Sequence, residues 1–301
     1  MQPSENNEMN ELSEQNHTIP NAPDNVQIRL KARQSLTGKW FSAAFMPLIS
    51  GILCPILLIA LFFLFNWLAP DLMRQIAQMS ENARNYGVSA DLSASALLIL
   101  ISLIVGAFSA MIYMGYYSYY LNIAKGEKAT VGTCFSFLAH HPLKAIGLMF
   151  AIWFKTCVWT LPGLGLLAVL LPAGNNGFAV FLGFLGMIAT FALGAAALLR
   201  YALIPYYLAD DPDISIREAI QKGKTATKDK KRQLFCMTFA TVGWAYLAVS
   251  ALQRLVPVLT GFPWAILLYL ALLPLLAYHL VALGHFYLET EPNAQQAAEQ
   301  A

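Results

Sequence analysis

The chain has 301 residues, 57% of them hydrophobic and only 12% charged, with a net charge of +2. A soluble domain carries about 25% charged residues. This much apolar surface cannot fit in one globular core, so composition excludes an ordinary water-soluble protein and points to a polytopic membrane protein.

Residues 1–25 are polar, carry Glu5, Glu8, Glu11 and Glu14, and contain no Lys or Arg. They lack the basic start and apolar middle of a cleavable signal peptide and read as a disordered acidic tail. Residues 26–290 read as the membrane domain and residues 291–301 as a disordered C-terminal tail. Crossing the hydrocarbon layer takes about 20 apolar residues. Six stretches qualify, at 42–68, 95–121, 143–171, 178–208, 233–256 and 263–288, and none contains Asp or Glu. The expected fold is therefore an all-α, polytopic integral membrane helical bundle with six transmembrane helices and short interfacial helices.

Ahead of the first span, Arg29, Lys31, Arg33 and Lys39 form a basic lead-in helix suited to anionic headgroups, with Trp40 at the boundary. Leu72, Ile76, Met79 and Ala83 share a helical face, which predicts a short amphipathic helix between the first two spans. The second span carries Ser102, Gly106 and Ala110 at four-residue spacing, a surface for close helix packing. It ends in Tyr113, Tyr116, Tyr117, Tyr119 and Tyr120, an aromatic cluster expected at the lipid–water interface. Pro162 and Gly163 predict a kink or an end to the third span. The fourth is rich in Gly and Ala and is expected to be surrounded by protein. After it comes Asp210-Asp211-Pro212-Asp213, and then Ser215 and Glu218 in the spacing of a capping box that starts a surface helix.

Lys and Arg divide unevenly between the two sides of such a bundle. Fourteen fall on the side of both termini and three, Arg74, Arg84 and Arg254, on the other. The positive-inside rule makes the first side cytoplasmic, so both termini are expected in the cytoplasm.

Several phrases together resemble the bacterial multi-pass membrane family catalogued as domain of unknown function 975. They are RLKARQSLTGKW at 29–40, GYYSYYLNIAKGEKAT at 115–130, WTLPGLG at 159–165, YALIPYYLADDPDISIREAI at 201–220, FATVGW at 239–244 and FYLE at 286–289. The resemblance implies a polytopic helical protein of the bacterial inner membrane and implies no activity.

Few residues could carry chemistry. Lys155 lies about 18 Å along its span at the helical rise of 1.5 Å per residue, near mid-membrane. It either snorkels to the surface or contacts an anion in a polar cavity. Arg200, near the end of the fourth span, either anchors to backbone carbonyls or to Asp210 or Asp211, or faces a cavity shared with Lys155. His279 is a thin third ligand-binding candidate; it sits six residues from His285, on another face of the helix, which argues against a shared metal site. Arg217, Lys222, Lys224, Lys228, Lys230, Lys231 and Arg232 form a basic segment expected at the membrane surface. The four cysteines have no metal-like spacing, and no catalytic motif occurs. The expectation is a non-enzymatic assembly, envelope or regulatory component of the bacterial inner membrane with no cofactor and no metal. The alternative is a transporter or a lipid- or anion-binding protein with a polar cavity near Lys155 and Arg200. Expected partners are membrane lipids with anionic headgroups, and a second copy or another membrane protein; no nucleic acid is expected.

Overall fold

The computed structural model describes residues 25–68, 70, 71, 74, 78, 92–170, 177–255 and 262–291. Both predicted tails lie almost wholly outside these residues, as does most of the amphipathic helix expected around Leu72 to Ala83. Among the described residues every regular element is a helix. In chain order they are α1 (Asn25–Ser35), α2 (Trp40–Leu68), α3 (Leu92–Lys125), α4 (Val131–Cys134), α5 (Ser136–His140), α6 (Pro142–Leu170) and α7 (Gly177–Tyr201). There follow α8 (Ile204–Asp210), α9 (Ile216–Thr227), α10 (Lys231–Thr238), a π-helical turn (Phe239–Gly243), α11 (Trp244–Leu255) and α12 (Phe262–Thr290).

Among the described residues five segments are long and apolar enough to cross a membrane: Trp40–Leu68, Ile99–Lys125, Pro142–Pro162, Phe181–Asp210 and Leu270–Thr290. The stretch expected at 233–256 is divided among α10, the π turn and α11, so no single α-helix of spanning length forms there. α6 continues through Pro162 as helix as far as Leu170. Between α7 and α8 the chain turns at Ala202-Leu203. Pro205 explains the turn: it has no N–H to give to the Tyr201 carbonyl, and its ring collides with that carbonyl in a continuous helix.

The core gathers at one end of the bundle, where the ends of α3, α7, α8 and α12 meet α1 and α9. Ile28, Ala32 and Leu36 form a fully buried stripe at four-residue spacing. α1 therefore spends its apolar face on the bundle, chiefly on α12, rather than on headgroups. Lys31 pairs with Glu289 at 2.8 Å, and Ser35 Oγ lies 2.9 Å from His285 Nε2.

The tyrosines at the end of α3 also turn inward. Tyr116, Tyr119 and Tyr120 are buried, while Tyr113 is half exposed. Tyr120 donates to the Ala43 carbonyl at 2.9 Å, and Tyr206 donates to the Leu280 carbonyl at 2.6 Å. A buried hydroxyl needs a partner, and here the carbonyls of neighbouring helices supply what interfacial water would otherwise supply.

Two glycines shape this end. Gly126 adopts φ +81° and stops α3 in the left-handed conformation that glycine tolerates. Gly115 lets α4 rest on α3, since a β-carbon there would stand 1.7 Å from the Cys134 carbonyl oxygen. Cys134 is buried against Met46, its Sγ 3.4 Å from Sδ, and burial pushes its thiol up to about 12. The small stripe on α3 packs within the molecule only toward its end: Ala110 is buried, a β-carbon at Gly106 would meet Phe150 at an ordinary 3.7 Å, and Ser102 is exposed.

Gly115→Ala and Gly106→Ala thus add the same methyl to one helix with different consequences. Gly115→Ala is expected to destabilise by about 3 kcal/mol or more, because backbone must move to admit it. Gly106→Ala is expected to be neutral or mildly stabilising, since it replaces a mid-helix glycine. Thermal unfolding of the two purified variants checks this; equal midpoints would contradict the close α3–α4 approach.

Candidate functional site

α6 and α7 form an antiparallel hairpin. The site lies at the end of it where α9 crosses. Gly147 admits Ile216, whose Cδ1 would stand 2.8 Å from a β-carbon at that position. From there α9 runs beside α6 toward Lys155. Ser215 starts α9 as its N-cap, accepting from the Glu218 N–H at 3.2 Å, one half of the expected capping box, while the Glu218 carboxylate pairs with Lys222. On its other side α9 seats Gly223 against Ile204, with room for no side chain. Thr227 Oγ1 reaches the Arg200 carbonyl at 3.1 Å.

A groove of about 680 Å³ opens between α6 and α9, lined by Ala151, Lys155, Ile216, Arg217, Ile220, Gln221, Lys224 and Thr225. Lys155 and Trp159 stand one turn apart on the same face of α6. The Arg200 guanidinium lies over the Trp159 ring, 5.9 Å from its centre, and the Lys224 ammonium lies 5.9 Å from the Tyr201 ring centre. Burial lowers the Lys224 pKa from its ordinary value, and the positive charges of Lys155 and Arg200 lower it further. The charges of Lys155 and Arg200 are therefore both felt at Lys224.

Lys155, inside the apolar segment Pro142–Pro162, stands beside the polar helix α9. Arg200 does not reach Asp210 or Asp211. Asp210 takes the Lys125 ammonium and the Tyr287 hydroxyl, the latter at 2.8 Å. Asp211 accepts the Asp213 N–H at 3.0 Å. Lys144 binds the Pro212 carbonyl at 2.7 Å. The acidic turn is thus a clamp joining α8 to α3, α6 and α12.

His279, the third candidate, stands apart from the groove. Its Nδ1 lies 2.8 Å from Thr241 Oγ1 in the π turn, a tether between that turn and α12. Of the basic segment, Arg217 and Lys224 line the groove, and Lys222 pairs with Glu218 at 3.2 Å. Lys228, Lys231 and Arg232 are exposed. Burial lowers the Lys230 pKa, and Glu289 partly offsets this. Among the described residues no group of three or more His, Cys, Asp or Glu side chains could hold a metal ion.

The Lys125–Asp210–Tyr287 cluster was not among the candidates. Its sequence signal is thin: each residue closes an apolar helix, as ordinary boundary residues do. Thr241 and His279 are equally hard to pair from sequence, because they belong to different helical segments.

Described residues that are helical in every regular element, with five apolar segments of spanning length among them and polar contacts knotting one end, have the make-up of a multi-span membrane protein. Over residues 23–294 the sequence matches the family described as "Protein of unknown function (DUF975)", and the chain belongs to that family. Neither a curated protein nor a solved structure matches it.

Lys224 should lose its proton below the ordinary lysine value of about 10.4. Acylation of the purified protein across a pH series, read at Lys224 by mass spectrometry, is expected to show a depressed midpoint. Lys155→Met removes a neighbouring positive charge and should raise that midpoint. An unmoved midpoint would contradict the proximity of the two ammoniums.

Proposed function

We propose that the chain is a non-enzymatic inner-membrane protein of six crossings that serves in assembly, envelope maintenance or regulation, working at the anionic cytoplasmic leaflet. The observation that carries this reading is how the polar side chains are used. Asp210, Tyr206, Tyr287, His279, His285 and Thr241 all bond across helices. Groups committed to holding helices together are poor material for a nucleophile with its base.

The sixth crossing is argued from length. Lys231 to Leu255 is continuous through α10, the π turn and α11. Its 25 residues cover about 37 Å at the helical rise, against a hydrocarbon layer of about 30 Å. A π turn widens a helix locally without ending it. Six crossings return the chain to its starting side, in keeping with fourteen Lys and Arg on that side against three on the other. A second reading, anion or lipid binding, is favoured by the groove around Lys155.

Single-cysteine labelling in intact bacterial cells tests the arrangement, using a cysteine-free background and a membrane-impermeant maleimide. Asn175→Cys, between α6 and α7, is expected to react from outside, whereas Asp229→Cys and Gln295→Cys react only after permeabilisation. Outside reactivity at Asp229→Cys would overturn the cytoplasmic placement of α9. Opposite behaviour at Asp229→Cys and Gln295→Cys would remove the sixth crossing.

A further inference from the structure

Four cations surround the α6–α9 groove: Lys155, Arg217 and Lys224 on its walls, and Arg200 beside it on Trp159. The ion pairs among the described residues lie elsewhere, at Lys31–Glu289, Arg74–Asp71, Lys125–Asp210, Lys144–Asp213 and Lys222–Glu218. The acid closest in sequence, Glu218, is therefore engaged by Lys222. Like charges gathered beside low-dielectric walls repel, and they concentrate anions in the space between them. Burial lowers the Lys224 pKa, and repulsion by Lys155 and Arg200 lowers it further.

The donors have a particular character. The Arg200 guanidinium, 5.9 Å from the Trp159 ring centre, brings a planar fork suited to two parallel bonds to an oxyanion. The ammoniums of Lys155 and Lys224 add point charges, and the Gln221 amide adds a neutral donor on the same wall. A tetrahedral anion with several acceptor oxygens suits this set better than a single carboxylate does. At about 680 Å³ the groove falls within the range of roughly 300–1,000 Å³ typical of small-molecule pockets.

The surroundings say what else the ligand carries. On α6, Val158 is 48% and Trp159 42% exposed on the face that carries Lys155, and on α7 Leu198 is 62% exposed two residues before Arg200. Apolar surface of this kind on helices of spanning character suits acyl chains, and it lies within a turn of the cations. We propose that the groove binds the phosphate of an anionic membrane-lipid headgroup, with the acyl chains lying along the exposed faces of α6 and α7. The inference rests on the cytoplasmic placement of α9, which the cysteine labelling tests separately.

The test uses the full chain, delipidated in a neutral detergent, with native mass spectrometry counting bound lipid. The probes are phosphatidylglycerol, phosphatidylcholine with the same acyl chains, and inorganic phosphate. Phosphatidylglycerol is expected to bind more tightly than phosphatidylcholine, and inorganic phosphate alone should not reproduce its effect. Arg200→Gln with Lys224→Gln is expected to weaken phosphatidylglycerol binding by about tenfold, from roughly a factor of five per basic residue less screening. Lys228→Gln with Lys231→Gln makes the same charge change just beyond α9, outside the groove, and is expected to leave binding within about twofold. Thermal unfolding without lipid reports whether each variant is folded. Equal loss in the two double variants, or equal binding of the two lipids, would overturn the site. Saturation by inorganic phosphate with no gain from phosphatidylglycerol would overturn the lipid assignment. If Arg200→Gln with Lys224→Gln unfolds, Arg200→Lys decides: retained charge without the planar fork should still weaken binding, and unchanged binding would contradict the guanidinium's role.

Discussion

The fold depends on one carboxylate. Asp210 closes α8 and holds two groups brought from distant parts of the chain, the Lys125 ammonium at the end of α3 and the Tyr287 hydroxyl near the end of α12. Apolar helices in lipid gain little by exchanging lipid contacts for one another. Their relative depth and rotation are set where polar groups must meet. Lys125 and Asp210 are largely withdrawn from water, with side-chain exposures of 14% and 20%. Each therefore needs the other, and losing one partner leaves a charge without compensation. Around this cluster the tyrosine hydroxyls of α3, α8 and α12 find carbonyls or acids on other helices, so three helix ends and the acidic turn become one unit.

A division of labour follows along the bundle. The most apolar window of α2 is only 6% buried, whereas that of α12 is 50% buried. α12 is the central post that α1, α2, α3 and the π turn lean on; α2 presents most of its surface outward. The helices are thus fastened at one end, and their remaining length offers apolar surface to its surroundings. The α6–α7 hairpin joins the knot through Lys144 and through α9. The cationic groove sits at that junction, beside exposed apolar helix faces.

Much of this was legible from residue order. Long runs without Asp or Glu mark α2, α3, α6, α7 and α12 because helix is the form that satisfies every backbone group within an apolar segment. The Ser215–Glu218 spacing marks the start of α9 because capping is local. The direction of the tyrosines on α3 was not legible. A tyrosine near a helix end suits the lipid interface and a protein core with a spare carbonyl equally well, and the choice lies with helices far off in sequence. That Lys155 and Arg200 lie beside one groove was visible only as one of several alternatives. The arrival of Lys224 depends on the turn at Pro205, the clamp at Asp210 and the seat of Gly223 on Ile204, a tertiary register with no local signature. The phrases that mark the family are instructive here. Those at 115–130, 201–220 and 286–289 meet at the knot, and FATVG at 239–243 is the π turn itself.

The central claim is that Asp210 and Lys125 act as one unit. A double-mutant cycle of Lys125→Met and Asp210→Asn measures it directly, with unfolding of the full chain followed in mild detergent titrated with a denaturing one. Each single change is expected to cost about 3 kcal/mol, and the pair together less than the sum by about 2 kcal/mol. Additive losses, with a coupling below about 0.5 kcal/mol, would mean that the two residues stabilise the bundle independently and that the knot is not what holds it.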